Sequence, residues 1–287
     1  MGRLLGLVAI CLIIYILPAC SLLPRLRSSS VRTSRPFSTD VLLDGKRLEL
    51  HVSKPITPIV PDVMVLYATG DGGWFGAAID MFQEIADAGY PVAGFSSRAF
   101  LRIERPKGAL VSSRQLAAEY AQIISAARTA LGLGDTSGVV LAGWSRGAAF
   151  SVLVGSEHDP RDRLLGVIAI GLIEGEDLQA SDADDGPDDD QPAEQTPAGK
   201  RRWPFDTYGR IAQLDPLPCA VIQATKDNYL PAARAQQLFG ADTPRRRFYA
   251  IEARNHRFSG GKAAFNHALR DSITWMTSPA PEARPVP

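Results

Sequence analysis

Cysteine is scarce in this chain of 287 residues: there are three, and two of them, Cys11 and Cys20, fall in an apolar N-terminal run. They allow no disulfide framework and no metal-ligand spacing, and Cys219 reads as a buried strand residue. An excess of either charge is also missing. The 31 Lys and Arg balance 31 Asp and Glu, and the arginines are scattered rather than gathered on one helix face, so nucleic acid is not an expected partner. The glycine-rich stretch Thr69-Gly70-Asp71-Gly72-Gly73 lacks both the lysine of a phosphate-binding loop and the spacing of a dinucleotide fingerprint. No cofactor and no metal is expected. What is present is 45% apolar and 22% charged residues over a length that can bury a full core, and it fits one large α/β domain at least as well as two small ones.

The N-terminus reads as a targeting segment over residues 1–19. Arg3 precedes an uncharged run from Leu4 to Leu17, of signal-peptide length, which ends at Pro18-Ala19-Cys20. Leu17-Pro18-Ala19-Cys20 resembles the lipobox of bacterial lipoproteins, which implies cleavage before Cys20 and lipidation of its thiol. The rival is an uncleaved anchor, because the uncharged run continues to Pro24 and is long enough to cross a bilayer. Arg25, Arg27, Arg32 and Arg35 on that flank would then hold the body in the cytoplasm. The exported lipoprotein is favoured, since the cysteine falls where the apolar region ends; a periplasmic or cell-envelope, membrane-anchored protein is expected. Residues 20–39, rich in Ser, Arg and Pro, read as a tether, and 279–287 as a flexible tail.

Residues 40–278 alternate strands with helices. Val41 to Val52 alternates apolar and polar residues around Asp44-Gly45, a hairpin signal. Continuous apolar runs follow at Val63–Tyr67, Pro91–Phe95, Val139–Ala142, Leu164–Ile170, Cys219–Ala224 and Phe248–Ile251. Helical spacing separates them, at Ile79, Phe82, Ile85 and Ala86, then at Leu116, Tyr120, Ile123, Ile124, Ala127 and Leu131 from about Ser112; a last helix is expected from about Gly261 to Met276. Such alternation predicts an α/β fold: a mostly parallel sheet with helices on both faces and an N-terminal antiparallel hairpin. At about 174–204, Asp182, Asp184, Asp185, Asp188, Asp189 and Asp190 among Pro, Gly and Ala mark an acidic surface insertion without the regular spacing of a calcium loop.

Gly143-Trp144-Ser145-Arg146-Gly147 lies between one apolar run and the helix-like Ala148–Val154, and it reads as a nucleophile elbow, in which a serine is lifted off the sheet at a sharp strand-to-helix turn. A serine hydroxyl needs a base to take its proton, and a histidine base needs a carboxylate to hold it. Asp227 follows the Cys219 strand and His256 follows the Phe248 strand, so both reach the strand ends where loops of a parallel sheet converge with Ser145. His51 on the hairpin, His158 beyond the elbow helix and His267 inside the last helix are poorly placed to be the base; Asp206 and Asp215 are the runner-up acids. The backbone N–H of Arg146 is one expected oxyanion donor, and that of Asp71, with Gly72 as second choice, the other. Trp74 and Trp144 are expected at the substrate pocket.

With these residues in order, the chain from about residue 40 onward resembles the α/β-hydrolase superfamily. Within it, Thr69-Gly70-Asp71-Gly72-Gly73-Trp74 with Ile79, and Gly143-Trp144-Ser145-Arg146-Gly147-Ala148, resemble the bacterial virulence-protein family called VirJ or AcvB. That resemblance implies a periplasmic protein whose substrate is the aminoacyl ester of a membrane phospholipid such as aminoacyl-phosphatidylglycerol. The reaction expected is ester hydrolysis through a serine acyl-enzyme. A non-catalytic binding lipoprotein of the same fold and an acyltransferase with the same residues remain open alternatives.

Overall fold

The computed structural model describes residues 35–103, 111–157, 159, 162–179 and 204–278. The apolar leader, Cys20, the tether up to residue 34, His158, most of the acidic insertion and the tail lie outside the described residues. Phe37–Leu43 (β1) and Lys46–Ser53 (β2) form the expected hairpin, followed by Val63–Ala68 (β3), helix Ala77–Asp87 (α1), Val92–Phe95 (β4), a short helix Ser97–Leu101 (α2) and the long helix Ser113–Leu131 (α3). Then come Gly138–Trp144 (β5), Arg146–Ser156 (α4), Leu164–Ile170 (β6), Gly175–Glu176 (β7), Phe205–Asp206 (β8), Thr207–Ile211 (α5), Cys219–Ala224 (β9), Ala232–Phe239 (α6), Arg246–Ile251 (β10) and Lys262–Thr277 (α7).

Eight strands form one sheet in the order β1-β2-β4-β3-β5-β6-β9-β10. β1 pairs with β2 and β2 with β4 antiparallel, and every pair from β4 to β10 is parallel. The central strands are apolar throughout because both of their faces are covered. Alternate residues serve opposite cores. Met64, Leu66, Val139, Leu141, Val167 and Val221 pack with the apolar stripes of α3 and α4. Val65, Tyr67, Val140, Ala142, Ile168 and Ile222 pack with Phe82 and Ile85 of α1 and with Phe265, Leu269 and Ile273 of α7. The hairpin buries the apolar residues of its inner face, Val41, Leu43, Leu48, Leu50 and Val52, and so keeps an alternating sequence.

Local chemistry sets the ends of the long helix. The Ser112 side chain accepts the N–H of Gln115 at 3.1 Å, and Gly132 closes α3 in a left-handed conformation. The elements that sequence periodicity did not reveal, α2, α5, α6 and the β7–β8 pair, have eight residues or fewer, too few turns or alternations to stand out. β7 and β8 pair antiparallel, Gly175 with Asp206 and Glu176 with Phe205, and so bring the two ends of the acidic insertion together.

Candidate active site

The carboxyl ends of β3, β5, β9 and β10 deliver the loops that carry the candidate residues. Ser145 follows β5 with φ 56° and ψ −117°, a conformation that a side chain rarely adopts, and its N–H is tied to the Ile170 carbonyl at 2.8 Å. Close approach enforces the turn. A Cβ at Gly143 would lie 2.0 Å from the Gly147 carbonyl oxygen, and one at Gly147 would lie 2.1 Å from that of Ala68. Both collisions are with backbone, which cannot swing aside, so α4 packs onto β3 and β5 only through glycine. The N–H of Arg146, first residue of α4, has no hydrogen-bond partner among the described residues, as expected of a helix N-terminus.

The candidate acid and base meet. His256 Nδ1 lies 2.7 Å from Asp227 Oδ2, and both side chains are buried. A carboxylate only accepts, so Nδ1 carries the proton and the lone pair is left on Nε2, which is buried and has no hydrogen-bond partner. Ser145 is not hydrogen-bonded to Nε2 in this conformation. Asp227 is further held by three other donors: Gln223 Nε2 at 3.1 Å to Oδ2, and the N–H groups of Tyr229 and Leu230 at 2.8 and 3.3 Å to Oδ1. The His256 ring is enclosed by Trp144 at 5.5 Å and Tyr229 at 4.8 Å between ring centroids. Gly171, with φ 58°, supplies the remaining clearance, since a Cβ there would lie 2.6 Å from His256 Cε1.

Trp144 and Trp74, both expected at the substrate pocket, are engaged in packing. The Trp144 ring is buried against His256, and its Nε1 donates to the His256 carbonyl at 3.3 Å, so it backs the base from behind. Trp74 stacks on His51 at 3.8 Å, meets Tyr67 and Phe82 edge-on, and covers Gly94. The runner-up acids are occupied elsewhere: Asp206 caps α5 by accepting the Gly209 N–H, and Asp215 faces Arg245. His267 lies within α7. Asp71 and Gly72 follow β3, and neither N–H has a hydrogen-bond partner among the described residues.

Two residues at the site were not expected from the sequence. Gln223 is one, although a glutamine inside the apolar strand Cys-Ala-Val-Ile-Gln-Ala, four residues before an aspartate, was a usable signal. Glu176 is another. It is buried with its side chain 2% exposed, and its Oε2 sits 3.4 Å from Arg146 Nε while its Oε1 accepts the N–H groups of Asp177 and Leu178. Burial pushes the Glu176 carboxyl above its ordinary range, with the Arg146 guanidinium opposing. Nothing in the sequence spacing linked it to Arg146.

Residues 62–173 match the family described as "Bacterial virulence protein (VirJ)". Over that segment the chain is similar to that family, and its fold is that of solved α/β hydrolases. An esterase of Pyrococcus furiosus superposes with a TM-score of 0.59 at 11% identity, covering 86% of this chain and 94% of its own. The esterase domain of a Rhodothermus marinus protein gives 0.53 at 16% identity over 84% and 98%, and an α/β serine hydrolase homologue from Coxiella burnetii gives 0.53 at 12% over 83% and 97%. No curated protein matches the sequence. Among the described residues, no cluster of three or more His, Cys, Asp or Glu could hold a metal ion, and no helix is long and apolar enough to cross a membrane.

Proposed function

We propose that this protein hydrolyses a carboxylic ester by acyl transfer to Ser145. The carrying observation is the 2.7 Å pair between Asp227 and His256 Nδ1, which leaves an unpartnered Nε2 in the site that also holds the strained Ser145 turn. Rotation of the Ser145 side chain gives its proton to Nε2 as Oγ bonds to the ester carbonyl carbon. The carbonyl oxygen becomes an anion that the N–H groups of Arg146 and Asp71 receive. Nε2 then returns the proton to the leaving alcohol as the carbon–oxygen bond breaks. A water repeats the cycle in reverse: its proton goes to Nε2, its oxygen bonds to the acyl carbon, and the acid departs as Ser145 recovers its hydrogen. Asp227 stays ionised and stabilises the imidazolium that forms twice.

Likeness to VirJ over 62–173 supports the aminoacyl ester of a membrane phospholipid, such as aminoacyl-phosphatidylglycerol, as substrate, and the lipobox-like Leu17-Pro18-Ala19-Cys20 supports a lipid-anchored protein facing that membrane. The Arg146 guanidinium faces Glu176 through Nε at 3.4 Å, while its Nη1 has no hydrogen-bond partner. The test is reaction with a fluorophosphonate probe, comparing wild type with Ser145→Ala and His256→Ala. Labelling of wild type alone is expected, followed by release of free amino acid from aminoacylated lipid. Equal labelling of wild type and Ser145→Ala would overturn the enzyme reading and leave the binding protein.

A further inference from the structure

The turn after β3 contains a hydrogen-bond arrangement centred on one carbonyl. The oxygen of Gly70 accepts from three donors: Ser97 Oγ at 2.9 Å, Thr69 Oγ1 at 3.1 Å and Gly73 N–H at 3.1 Å. Thr69 Oγ1 in turn accepts the Ser97 N–H at 3.3 Å, and the Thr69 N–H is tied to Phe95 at 3.1 Å. Thr69 and Ser97 are completely buried. A carbonyl has two lone pairs, so three donors oversupply this one, where a single turn bond would have sufficed for the backbone. Two of the three are side-chain hydroxyls, and one comes from α2, outside the turn.

The consequence lies on the far side of the same peptide unit. A trans peptide is planar, so the N–H of Asp71 points opposite to the Gly70 carbonyl, and fixing one fixes the other. Asp71 N–H has no partner among the described residues. Gly70 itself rests on the nucleophile: a Cβ there would lie 3.2 Å from the Ser145 Cβ. We infer that Ser97 and Thr69 are positioning residues that lock the Gly70–Asp71 peptide so that the Asp71 N–H stands ready as the second oxyanion donor. The inference rests on the ester-hydrolase reading above and deepens it. A donor aimed before the reaction costs no reorganisation when charge develops on the carbonyl oxygen, whereas a peptide free to rotate would offer its oxygen in place of its hydrogen. Neither residue touches the substrate; both act through the backbone of Asp71.

The experiment compares full-length wild type, Ser97→Ala, Thr69→Val and Thr69→Ser on p-nitrophenyl acetate, with thermal unfolding to show that each is folded at the assay temperature. Ser97→Ala and Thr69→Val are expected to lose roughly ten- to hundred-fold in kcat with KM changed less than about two-fold, because the interaction exists only in the transition state. Affinity for an alkyl boronic acid, which places an oxygen where the oxyanion forms, should fall in parallel. Thr69→Ser keeps the hydroxyl and should stay within about three-fold of wild type, a rescue that a mere packing role would not produce. Unchanged kcat in Ser97→Ala and Thr69→Val, a loss seen in KM instead, or Thr69→Ser falling as far as Thr69→Val would overturn the inference while leaving the ester-hydrolase reading intact. If wild type neither turns over the ester nor takes up the fluorophosphonate, the ester-hydrolase reading fails and this inference fails with it.

Discussion

Around Ser145 the backbone is held by contact distance, whereas Asp227 is held by hydrogen bonds from residues two to four positions away and His256 by rings from distant parts of the chain. The nucleophile turn depends on Gly143 and Gly147, where an added carbon would sit 2.0 and 2.1 Å from main-chain oxygens. The acid and base depend on Gln223, the Tyr229 and Leu230 amides, the Trp144 ring and the clearance left by Gly171. Steric exclusion is all-or-none, because backbone cannot yield by an ångström without unpacking a helix from the sheet. Polar support is graded, since each lost bond costs a limited amount and the remaining ones still orient the ring.

The sharpest way to break this contrast is at the turn itself. Gly147→Ala is expected to lose the folded state, at a cost above about 4 kcal/mol, read as loss of cooperative unfolding by circular dichroism. Ser145→Ala, one residue pair away, is expected to remain folded with stability within about 1 kcal/mol of wild type while ester turnover falls roughly ten-thousand-fold or more. On the polar side, Asp227→Asn keeps the backbone donors of Tyr229 and Leu230 but loses the charge facing Nδ1. Its kcat should fall about ten-thousand-fold at neutral pH with little change in the unfolding midpoint. A Gly147→Ala protein that melts like wild type would remove the steric half of the comparison.

Smaller effects grade the polar half. Gln223→Leu leaves both the Leu230 carbonyl and one oxygen of Asp227 without the amide that bonds them at 2.7 and 3.1 Å, so urea unfolding should show a loss of about 1 to 3 kcal/mol, with kcat reduced roughly ten-fold. The least effect is expected from Glu176. Burial raises its folded carboxyl pKa above the unfolded value of 4.5, so the folded state binds the proton more tightly than the unfolded one. Its contribution is therefore most favourable below that value and is lost as pH rises through the raised folded pKa. Wild-type stability relative to Glu176→Gln should decline as pH rises above 4.5, measured by urea unfolding at a series of pH values. A flat difference would show that the Arg146 pairing compensates fully for the burial.

How far the sequence reached follows from the same physics. The elbow was legible because its requirement is local: glycines two residues on either side of a serine, between a strand and a helix, leave a signature in five consecutive positions. The strands were legible because burial on both faces forces an unbroken apolar run, and Cys219–Ala224 and Leu164–Ile170 have the limits that such runs suggest. Asp227 and His256 could be named from chain order and strand ends, but not their 2.7 Å approach. Trp144 and Trp74 show the limit. A tryptophan beside a candidate site has no sequence mark that distinguishes a pocket wall from a buttress, and here one ring backs His256 while the other stacks on His51.

The sequence by itself determined the alternation of strands and helices and the strained serine turn, because each is written in neighbouring residues whose periodicity or glycine content has one structural solution, while chain order and strand ends named only a candidate acid and base. Only the tertiary structure decided that Glu176 would close on Arg146, that Gln223 would brace Asp227, and that Ser97 from α2 would reach the Gly70 carbonyl. Those contacts join residues 4 to 30 positions apart through the packing of separate elements. A polar side chain carries no record of its partner until the sheet has set both in place.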